Sequence, residues 1–269
     1  MAKIDPAARI ADGARLAADV EIGPFCTIGP NVEIGEGGKL VSHVNITGHT
    51  TIGPRATIYP FASLGTPPQS VHYKGEASRL IVGADCIIRE SVTMNTGTAG
   101  GHMQTTVGDS CRFMAYAHVG HDCIVGNNVT FANGGTLGGH CSVGDFVFVG
   151  GYAAVHQFVR IGERCVIGGL SGVVHDVIPF AAALGQRAEL AGLNIVGLKR
   201  SGLARSQIHA LRHAYRALFS GGIVLENAEK IAKEYSGDAN VQKMVQFVRD
   251  AGKRRLTTPR GASSQEDTD

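Results

Sequence analysis

The 269-residue sequence contains no tryptophan, and aromatic residues make up only 6% of it. Glycine, by contrast, occurs 37 times. Large aromatic side chains usually dominate the energetics of a globular core, so this composition argues against such a core. It is typical of a solenoid, in which small and β-branched side chains stack in successive coils.

Long apolar runs are also missing. No segment approaches the roughly 20 apolar residues that a membrane-spanning helix needs. The first residues, MAKIDPAARIADGA, lack the apolar segment of a signal peptide. The net charge of +2 gives no electrostatic argument for nucleic-acid binding. We therefore expect a cytoplasmic protein without a membrane segment or a nucleic-acid partner.

The six cysteines lack the spacing of a zinc site or of a disulfide framework. Each occupies the fifth place of a six-residue block, as in VGADCI and VGHDCI. Alanine, valine, serine and threonine fill the same place in other blocks, which indicates small buried side chains. We predict that these cysteines are structural.

A six-residue period runs through most of the chain. Aliphatic residues keep this spacing from Ile4 to Leu64, and the period runs again from Val107 to Val173. The period and the glycines exclude a helix. Short strands joined by tight turns fit the pattern, with three blocks forming one triangular coil of 18 residues. We predict an all-β parallel β-helix over residues 1–186, of the hexapeptide-repeat class that is known to be left-handed.

Two segments interrupt the repeat. The first, at 65–79, contains paired prolines and polar residues, which indicate a surface loop that replaces coil material without changing the phase. The second, at 96–106, shifts the phase. Loops that leave a strict solenoid usually serve binding, so both are candidate binding segments.

The repeat ends near Pro179, and residues 180–195 show no regular pattern. A helical segment is predicted from about Ile195, and its apolar stripe comprises Ile208, Leu211, Tyr215 and Leu218. We predict a small α-helical domain over 187–253 that caps the open end of the solenoid. A disordered tail is predicted over 254–269.

Basic residues cluster near the start of the predicted helical domain. The cluster comprises Lys199, Arg200, Arg205, Arg212 and Arg216. A docking site for an acidic partner and a solvated helix face both agree with this pattern.

Four histidines fall within three consecutive coils: His118, His121, His140 and His156. The 18-residue coil stacks His121, Gly139 and Gln157 in one column, with the other histidines beside it. Packing gives no reason to gather imidazoles there, so we interpret the cluster as functional. Imidazoles are common metal ligands, but no metal-site spacing with a carboxylate is visible. Acid–base catalysis or the binding of an oxygen-rich ligand fits better.

Several motifs carry a resemblance to a known family. They are IGPFCTIGP, VEIGEG, IRESVT, AHVGHDCIVGN, AVHQF, GGLSGV and NIVGLKR. Up to about residue 250 the chain resembles the bacterial UDP-N-acetylglucosamine O-acyltransferases of lipid A biosynthesis. The hexad repeat alone is shared by serine acetyltransferases and carbonic anhydrases, whereas AHVGHDC with VHQF and GLKR is specific.

The resemblance implies a homotrimer with active sites between neighbouring subunits. The reaction would move a 3-hydroxyacyl chain from acyl carrier protein to the 3-position of a UDP-sugar, without a further cofactor or a metal. His121 matches the general base of the family, and Gly139 matches a backbone N–H donor to the oxyanion. Asp122 would orient the imidazole or serve only as a turn residue. Gly169 matches the position where side-chain size limits acyl length.

The remaining predicted positions would contact substrates. Around the histidines they are His118, His140, His156 and Gln157. Around the sugar, the nucleotide or the carrier's phosphopantetheine arm they are Gln69, His72, Asn95, Arg187, Asn194 and Arg200.

The sequence departs from the family around the acceptor. The first loop has Gln69-Ser70-Val71-His72-Tyr73 where the family usually has Gln-Asp-x-Lys before tyrosine, and Asn95 stands where histidine is common. Val196 and Ser201 also differ from the family's NIEGLKRR. Some relatives acylate a 3-amino sugar nucleotide. The acceptor is therefore either the 3-hydroxy or the 3-amino sugar, with the hydroxyl favoured.

Three other functions compete with this interpretation. A trimeric scaffold would leave the histidine column and both loops unexplained. A zinc-dependent hydratase on the same repeat would need three imidazoles on one metal. Another hexapeptide-repeat sugar acyltransferase, the later N-acyltransferase of the pathway, carries an extra N-terminal domain, whereas the repeat here starts at Ile4.

Overall fold

The computed structural model describes residues 1–261. Its solenoid is a triangular prism whose three sides are sheets of 11, 9 and 8 strands, here called face one, face two and face three. Face one comprises β1 Lys3–Ile4, β4 Glu21–Ile22, β7 Lys39–Leu40, β10 Thr57–Ile58, β13 Ile87–Ile88, β16 Arg112–Phe113, β19 Thr130–Phe131, β22 Phe148–Val149, β25 Val166–Ile167, β27 Ala181–Leu184 and β28 Glu189–Leu193. Face two comprises β2 Arg9–Ile10, β5 Thr27–Ile28, β8 Asn45–Ile46, β11 Ser63–Thr66, β14 Thr93–Asn95, β17 His118–Val119, β20 Thr136–Leu137, β23 Ala154–Val155 and β26 Gly172–Val173. Face three comprises β3 Arg15–Leu16, β6 Val32–Ile34, β9 His49–Ile52, β12 Arg79–Val82, β15 Gln104–Val107, β18 Ile124–Val125, β21 Ser142–Val143 and β24 Arg160–Ile161.

The strands of the coils pair in parallel with partners one coil away. Arg112 pairs with Thr130, and His118 with Thr136, an offset of 18 residues. The chain passes from face one to face two at edge 1–2 (for example 114–117), then to face three at edge 2–3 (120–123) and back at edge 3–1 (126–129). The predicted parallel β-helix is confirmed.

The hexad fills the prism in a regular way. Its first and fifth places point inward, so that Phe113 and Phe131 stack with ring centroids 5.0 Å apart and all six cysteines are buried and unpaired. The fourth place makes the turn with a left-handed backbone, as at Asp122 (φ 58) and His140 (φ 61). No β-branched residue has a positive φ in the described part of the chain, because its side chain would clash there.

Both interruptions add residues to a coil. Arg79 pairs with His49, 30 positions back instead of 18, so the first loop (67–78) inserts 12 residues. Gln104 pairs with Arg79, 25 positions back, so the second loop (96–103) inserts seven. The prediction that the first segment replaces coil material is therefore wrong, although its length of two hexads does preserve the phase.

After the last coil the chain forms a hairpin and then helices. Residues 180–195 are not irregular as predicted, since β27 and β28 pair antiparallel and extend face one. The helices are α1 Ile195–Arg200, α2 Arg205–Leu218, α3 Val224–Glu234 and α4 Ala239–Arg249. On α2, Ile208, Leu211 and Leu218 are buried, and Tyr215 packs against the core from a half-buried position. None of the helices within residues 1–261 is long and apolar enough to cross a membrane.

The predicted disordered tail is wrong for residues 254–261. Leu256 bridges Asp176, Pro259 bridges Leu190, and Thr257 is buried. The short segment therefore returns to the end of the solenoid. Residues 262–269 lie outside the described residues.

One arginine fixes the helices to the solenoid. The Nε of Arg160 lies 2.7 Å from the buried Asp176 carboxylate, and its guanidinium lies 4.3 Å from the Phe247 ring of α4. A second contact across the same boundary, Lys243 with Glu163, is more exposed. The first contact should therefore contribute more to stability.

Replacing Arg160 with alanine should lower the free energy of unfolding by about 3 kcal/mol, because it removes the nearer of the two arginines at the buried Asp176 carboxylate and leaves only Arg254, at 3.7 Å. The midpoint of thermal unfolding measures this. Lys243→Ala is the matched control, with an expected loss below about 1 kcal/mol for an exposed pair. Equal losses in the two variants would contradict this interpretation.

Candidate active site

The site is built on edge 2–3, where the turn between β17 and β18 carries His121 and Asp122. Asp122 adopts the left-handed turn conformation. The side chain of its neighbour His121 projects from the edge, whereas the side chain of Asp122 is fully buried. Asp122 N–H donates to Thr105 Oγ1 (2.8 Å), which fixes the turn from the coil below. A single turn thus provides an accessible imidazole backed by a buried carboxylate.

The second loop surrounds the Asp122 carboxylate with hydrogen-bond donors. Thr98 donates its N–H to both oxygens (3.1 and 3.0 Å) and its hydroxyl to Oδ2 (2.6 Å). His102 N–H donates to Oδ1 (2.7 Å), and Nδ1 of His121 lies 2.8 Å from Oδ2. Burial raises the pKa of Asp122, but these hydrogen bonds outweigh that effect and hold the pKa below the ordinary value of an aspartate. The group is therefore ionised at neutral pH.

The ionised carboxylate determines the tautomer of His121. A carboxylate can only accept, so Nδ1 of His121 carries the proton and Nε2 presents its lone pair away from Asp122. A neutral imidazole with a free Nε2 is a general base. Asp122 is thus both the turn residue and the orienting group, which were the two alternatives left open by the sequence.

Gly139 lies directly above the imidazole, as the 18-residue stacking predicts. A Cβ built on Gly139 would stand 2.6 Å from both Nε2 and Cε1 of His121. Among the described residues, no acceptor is hydrogen-bonded to the Gly139 N–H. An unengaged backbone donor beside a basic nitrogen is the arrangement that stabilises an oxyanion formed there.

Gly139→Ala should lower kcat for the reaction at this site by on the order of 100-fold, because the new methyl group must displace the His121 ring. Steady-state kinetics at saturating substrate would measure this. The control is Gly237→Ala, since a Cβ at this exposed glycine between α3 and α4 meets nothing within 4 Å. A Gly139→Ala variant as active as Gly237→Ala would mean that the stacked geometry has no role.

Two further histidines lie beside His121. His140 meets His121 edge-on at 4.9 Å between centroids and stacks on Phe158 at 4.5 Å. His118 shares a 2.8 Å hydrogen bond with Thr93 Oγ1 through Nδ1. Burial lowers the pKa of both His118 and His140. Their neutral forms are favoured near pH 7, and a neutral imidazole can both donate and accept a hydrogen bond.

The carboxylate and imidazoles also suggest a metal site. One ligand atom each from His121, Asp122 and His140 lies within 4.8 Å of the others. The carboxylate oxygens already accept hydrogen bonds from Thr98, His102 and His121. A metal ion would have to displace these donors, so the geometry favours acid–base chemistry.

Comparison with known proteins gives the same family by sequence and by structure. Residues 176–257 match the model described as UDP N-acetylglucosamine O-acyltransferase, domain 2, and residues 104–139 match the bacterial transferase hexapeptide model. A curated protein of Azorhizobium caulinodans, named acyl-[acyl-carrier-protein]–UDP-N-acetylglucosamine O-acyltransferase, is 57% identical over 99% of both chains. The chain belongs to the UDP-N-acetylglucosamine O-acyltransferase family. A protein of the same name from Rhizobium johnstonii is 46% identical over 96% of this chain and 95% of its own.

Solved structures of the family share the whole architecture. A crystal structure of UDP-N-acetylglucosamine acyltransferase aligns with a TM-score of 0.92 at 40% identity, over 97% of this chain and all of that one. The structure of LpxA from Acinetobacter baumannii aligns with a TM-score of 0.91 at 37% identity, over 96% of this chain and 99% of that one. These matches confirm the predicted fold class, a left-handed parallel β-helix followed by helices, and the chain is an acyltransferase by family.

The other predicted contacts lie at several places. His156 and Gln157 are exposed on the coil above Gly139, and Nδ1 of His156 contacts the Gln157 carbonyl (3.1 Å). Gln69 and His72 are exposed on the first loop. Asn95 is buried instead, and its side-chain amide donates to Thr66 Oγ1 (3.0 Å) and to the Pro67 carbonyl (3.1 Å). It holds the first loop in place rather than facing the solvent.

Four predicted residues are not brought to the histidines within one chain. Arg187 is exposed in the turn between β27 and β28, and Arg200 is exposed at the end of α1. Asn194 caps α1 through Gly197 N (2.9 Å) and donates to Arg164 O at edge 3–1 (2.9 Å). Gly169 lies exposed on edge 1–2, across face two from His121.

Sequence reasoning missed the residues that hold Asp122. Thr98 and His102 lie in the second loop, where no period predicts which side chain or amide points inward. The available signal was the phase shift itself, since it marked the loop as a departure made for binding. The geometry gives the second loop a different part, which is to hold the Asp122 carboxylate against His121.

Proposed function

We propose that this chain transfers a 3-hydroxyacyl group from acyl carrier protein to the 3-hydroxyl of UDP-N-acetylglucosamine, the first step of lipid A biosynthesis. The observation that carries the proposal is the free Nε2 of His121, backed by Asp122 at 2.8 Å and placed beneath the unengaged N–H of Gly139. The names of the relatives agree with it. A carrier-protein donor and a nucleotide-sugar acceptor favour the cytoplasm as the place of reaction.

The chemistry follows from these groups. Nε2 of His121 takes the proton of the sugar hydroxyl while its oxygen attacks the thioester carbon. The carbonyl oxygen becomes an oxyanion, which the Gly139 N–H stabilises, and Asp122 stabilises the imidazolium. Collapse of the intermediate breaks the carbon–sulfur bond, and the phosphopantetheine sulfur receives the proton from His121. Atoms and protons balance without a further cofactor.

The donor also needs a docking surface. The basic cluster is exposed on α1 and α2 and comprises Lys199, Arg200, Arg205, Arg212 and Arg216. It offers an acidic carrier protein a complementary charge. Arg187, Asn194 and Arg200 lie at the same end of the solenoid, which supports their assignment to the nucleotide or to the carrier's arm.

A single chain leaves the site open on one side, which favours the homotrimer. Edge 1–2 and edge 2–3 flank face two, so a threefold arrangement with face two toward the axis brings edge 1–2 of one copy to edge 2–3 of the next. Edge 1–2 carries exposed apolar side chains, among them Met114, Tyr116, Tyr152 and Leu170. They would line the site of the neighbouring copy and exclude water there.

The same arrangement gives Gly169 its proposed role. Gly169 lies beside Leu170 on edge 1–2, and a Cβ there would lie 3.3 Å from Gly151 O, so a larger side chain fits after a small shift. Gly169→Met should shift the preferred donor to a shorter acyl chain. Rates with 3-hydroxyacyl carrier proteins of graded length measure this, and the shortest donor serves as internal control. An unchanged length profile would contradict the role.

Transfer to the 3-amino group of the corresponding amino sugar nucleotide is the second candidate. The first loop favours this candidate. Its Gln69 and His72 are exposed, but Ser70 and His72 stand where the family usually has an acid and a lysine. An amine with a free lone pair needs less help from such groups than a hydroxyl does.

Incubation with 3-hydroxyacyl carrier protein and each acceptor separately tests the proposal. The acylated sugar nucleotide is identified by its mass. We expect product from UDP-N-acetylglucosamine. Product from the amino analogue alone would replace the proposal by the second candidate, and product from neither would overturn both.

A further inference from the structure

One carboxylate joins the two loops of the solenoid. Oε1 of Glu76, in the first loop, accepts from Ala99 N in the second loop (2.8 Å), and Oε2 accepts from Lys74 N (2.8 Å). Tyr73 OH donates to the Glu76 carbonyl (3.0 Å) and fixes its backbone. The hydrogen bonds from the Ala99 and Lys74 amides hold the pKa of Glu76 below the ordinary value of a glutamate, so the group is charged at neutral pH.

The contact leads directly to the catalytic pair. Ala99 follows Thr98, whose N–H and hydroxyl both bind the Asp122 carboxylate. Asp122 in turn lies 2.8 Å from Nδ1 of His121. The first loop is therefore connected to His121 through three charge-assisted hydrogen bonds. They run from Glu76 to the Ala99 amide, from Thr98 to Asp122 and from Asp122 to His121, and the peptide bond between Thr98 and Ala99 joins the first two.

The roots of the loops are held independently of Glu76. Ser78 Oγ donates to Thr96 Oγ1 in a buried contact (2.9 Å), and Gly97 N donates to Arg79 O (3.3 Å). Asn95 holds the start of the first loop through Thr66. Removing the Glu76 contact should thus release the tips of the loops while leaving the solenoid folded.

We propose that Glu76 is a positioning residue, whose carboxylate makes the orientation of the Asp122–His121 pair depend on the placement of the first loop. This inference assigns a further residue to the proposed acyl transfer and rests on that proposed function. Because the first loop carries Gln69 and His72, two of the predicted acceptor contacts, the base is aligned when that loop is in place. Glutamine at position 76 keeps the shape, but its single carbonyl can accept from only one of the two amides.

Glu76→Gln should lower kcat by about 10-fold, since a small misplacement of a catalytic group has a large effect on rate. KM for the carrier-protein donor should stay the same, because that substrate does not meet the first loop in this proposal. The matched control is Glu36→Gln, at an exposed glutamate on an N-terminal coil. A kcat for Glu76→Gln equal to that of the control would overturn the proposal.

A double-mutant cycle with Asp122→Asn separates positioning from a general loss of stability. Since Glu76 acts through Asp122, we expect Glu76→Gln to have no further effect on kcat in the Asp122→Asn background. Equal fold losses in both backgrounds would show that Glu76 acts by another route and would overturn the proposal.

Amide hydrogen exchange measures the coupling between Glu76 and the second loop in the absence of substrate. The N–H groups of Thr98 and His102 should exchange faster in Glu76→Gln than in the wild type or in Glu36→Gln, and unchanged exchange would overturn the coupling. Faster exchange in a chain that fails to transfer an acyl group would support the coupling and contradict the proposed function instead. The two failures are therefore distinguishable.

Discussion

Replacement of His121 by alanine should reduce kcat for acyl transfer by on the order of 10³-fold, because it removes the group that accepts the proton of the attacking hydroxyl. Binding of the donor should change little, since in the proposed mechanism His121 contacts the reacting atoms and not the acyl chain. The residual rate should come from the Gly139 donor and from substrate alignment. The measurement is kcat and KM with 3-hydroxyacyl carrier protein and UDP-N-acetylglucosamine.

The matched control for this prediction is His213→Ala. His213 is an exposed histidine of α2 that contacts the Tyr235 hydroxyl (3.0 Å) and lies away from edge 2–3. It should retain wild-type kcat. If the His121 variant kept more than a tenth of the control's rate, the base would have to be assigned elsewhere.

Asp122→Asn should have a similarly large effect, with kcat falling by on the order of 10³-fold. The asparagine side chain has one acceptor oxygen for donors that now share two carboxylate oxygens, among them Thr98 N and His102 N. Its amide can also donate to Nδ1 of His121, which would place the imidazole proton on Nε2 and remove the base. Loss of the negative charge also destabilises the imidazolium that His121 forms when it accepts the proton.

Asp145→Asn serves as the control for Asp122. Asp145 lies on edge 3–1, where its carboxylate accepts from Asn127 N (2.7 Å) in a comparable turn of the solenoid. Its substitution should leave kcat unchanged. An Asp122→Asn variant with near-wild-type kcat would show that Asp122 only shapes the turn, which was the other possibility that its position suggested.

The sequence predicted those parts of the molecule that depend on its period. The hexads predicted the positions of the strands, and the 18-residue coil predicted that Gly139 lies above His121. The helical stripe on α2 followed from apolar spacing in the same way. Periodicity succeeds here because each coil repeats the same inward and outward places.

The errors lie where the chain leaves the period. The hairpin of β27 and β28 was predicted to be irregular, because alanine and glycine in AAALG and LAGL give no alternation to detect. The tail at 254–261 looked polar, yet its backbone is held by bridges to Asp176 and Leu190 that only tertiary structure supplies. Polarity predicts exposure of side chains and says little about such backbone pairing.

The same limit applies to the site. The role of Asp122 could not be decided from the sequence, since its partners Thr98 and His102 come from a loop without a period. Asn95 was assigned to the substrate because it replaces a histidine of the family, whereas the structure buries it against the first loop. Residues that act by holding a loop are recognised by their hydrogen bonds and not by their spacing.

Direct transfer, with the sugar hydroxyl activated by His121 and without an acyl-enzyme intermediate, is the central prediction of the proposed mechanism. All six cysteines are buried inside the prism, and no thiol is available at edge 2–3 within the described residues. A single-turnover experiment tests this claim most directly, using isotopically labelled 3-hydroxyacyl carrier protein with the enzyme in excess. We predict that the label passes to UDP-N-acetylglucosamine with the wild type and stays on the carrier protein with His121→Ala. Label found covalently on the enzyme, or equal transfer by the two proteins, would contradict the account.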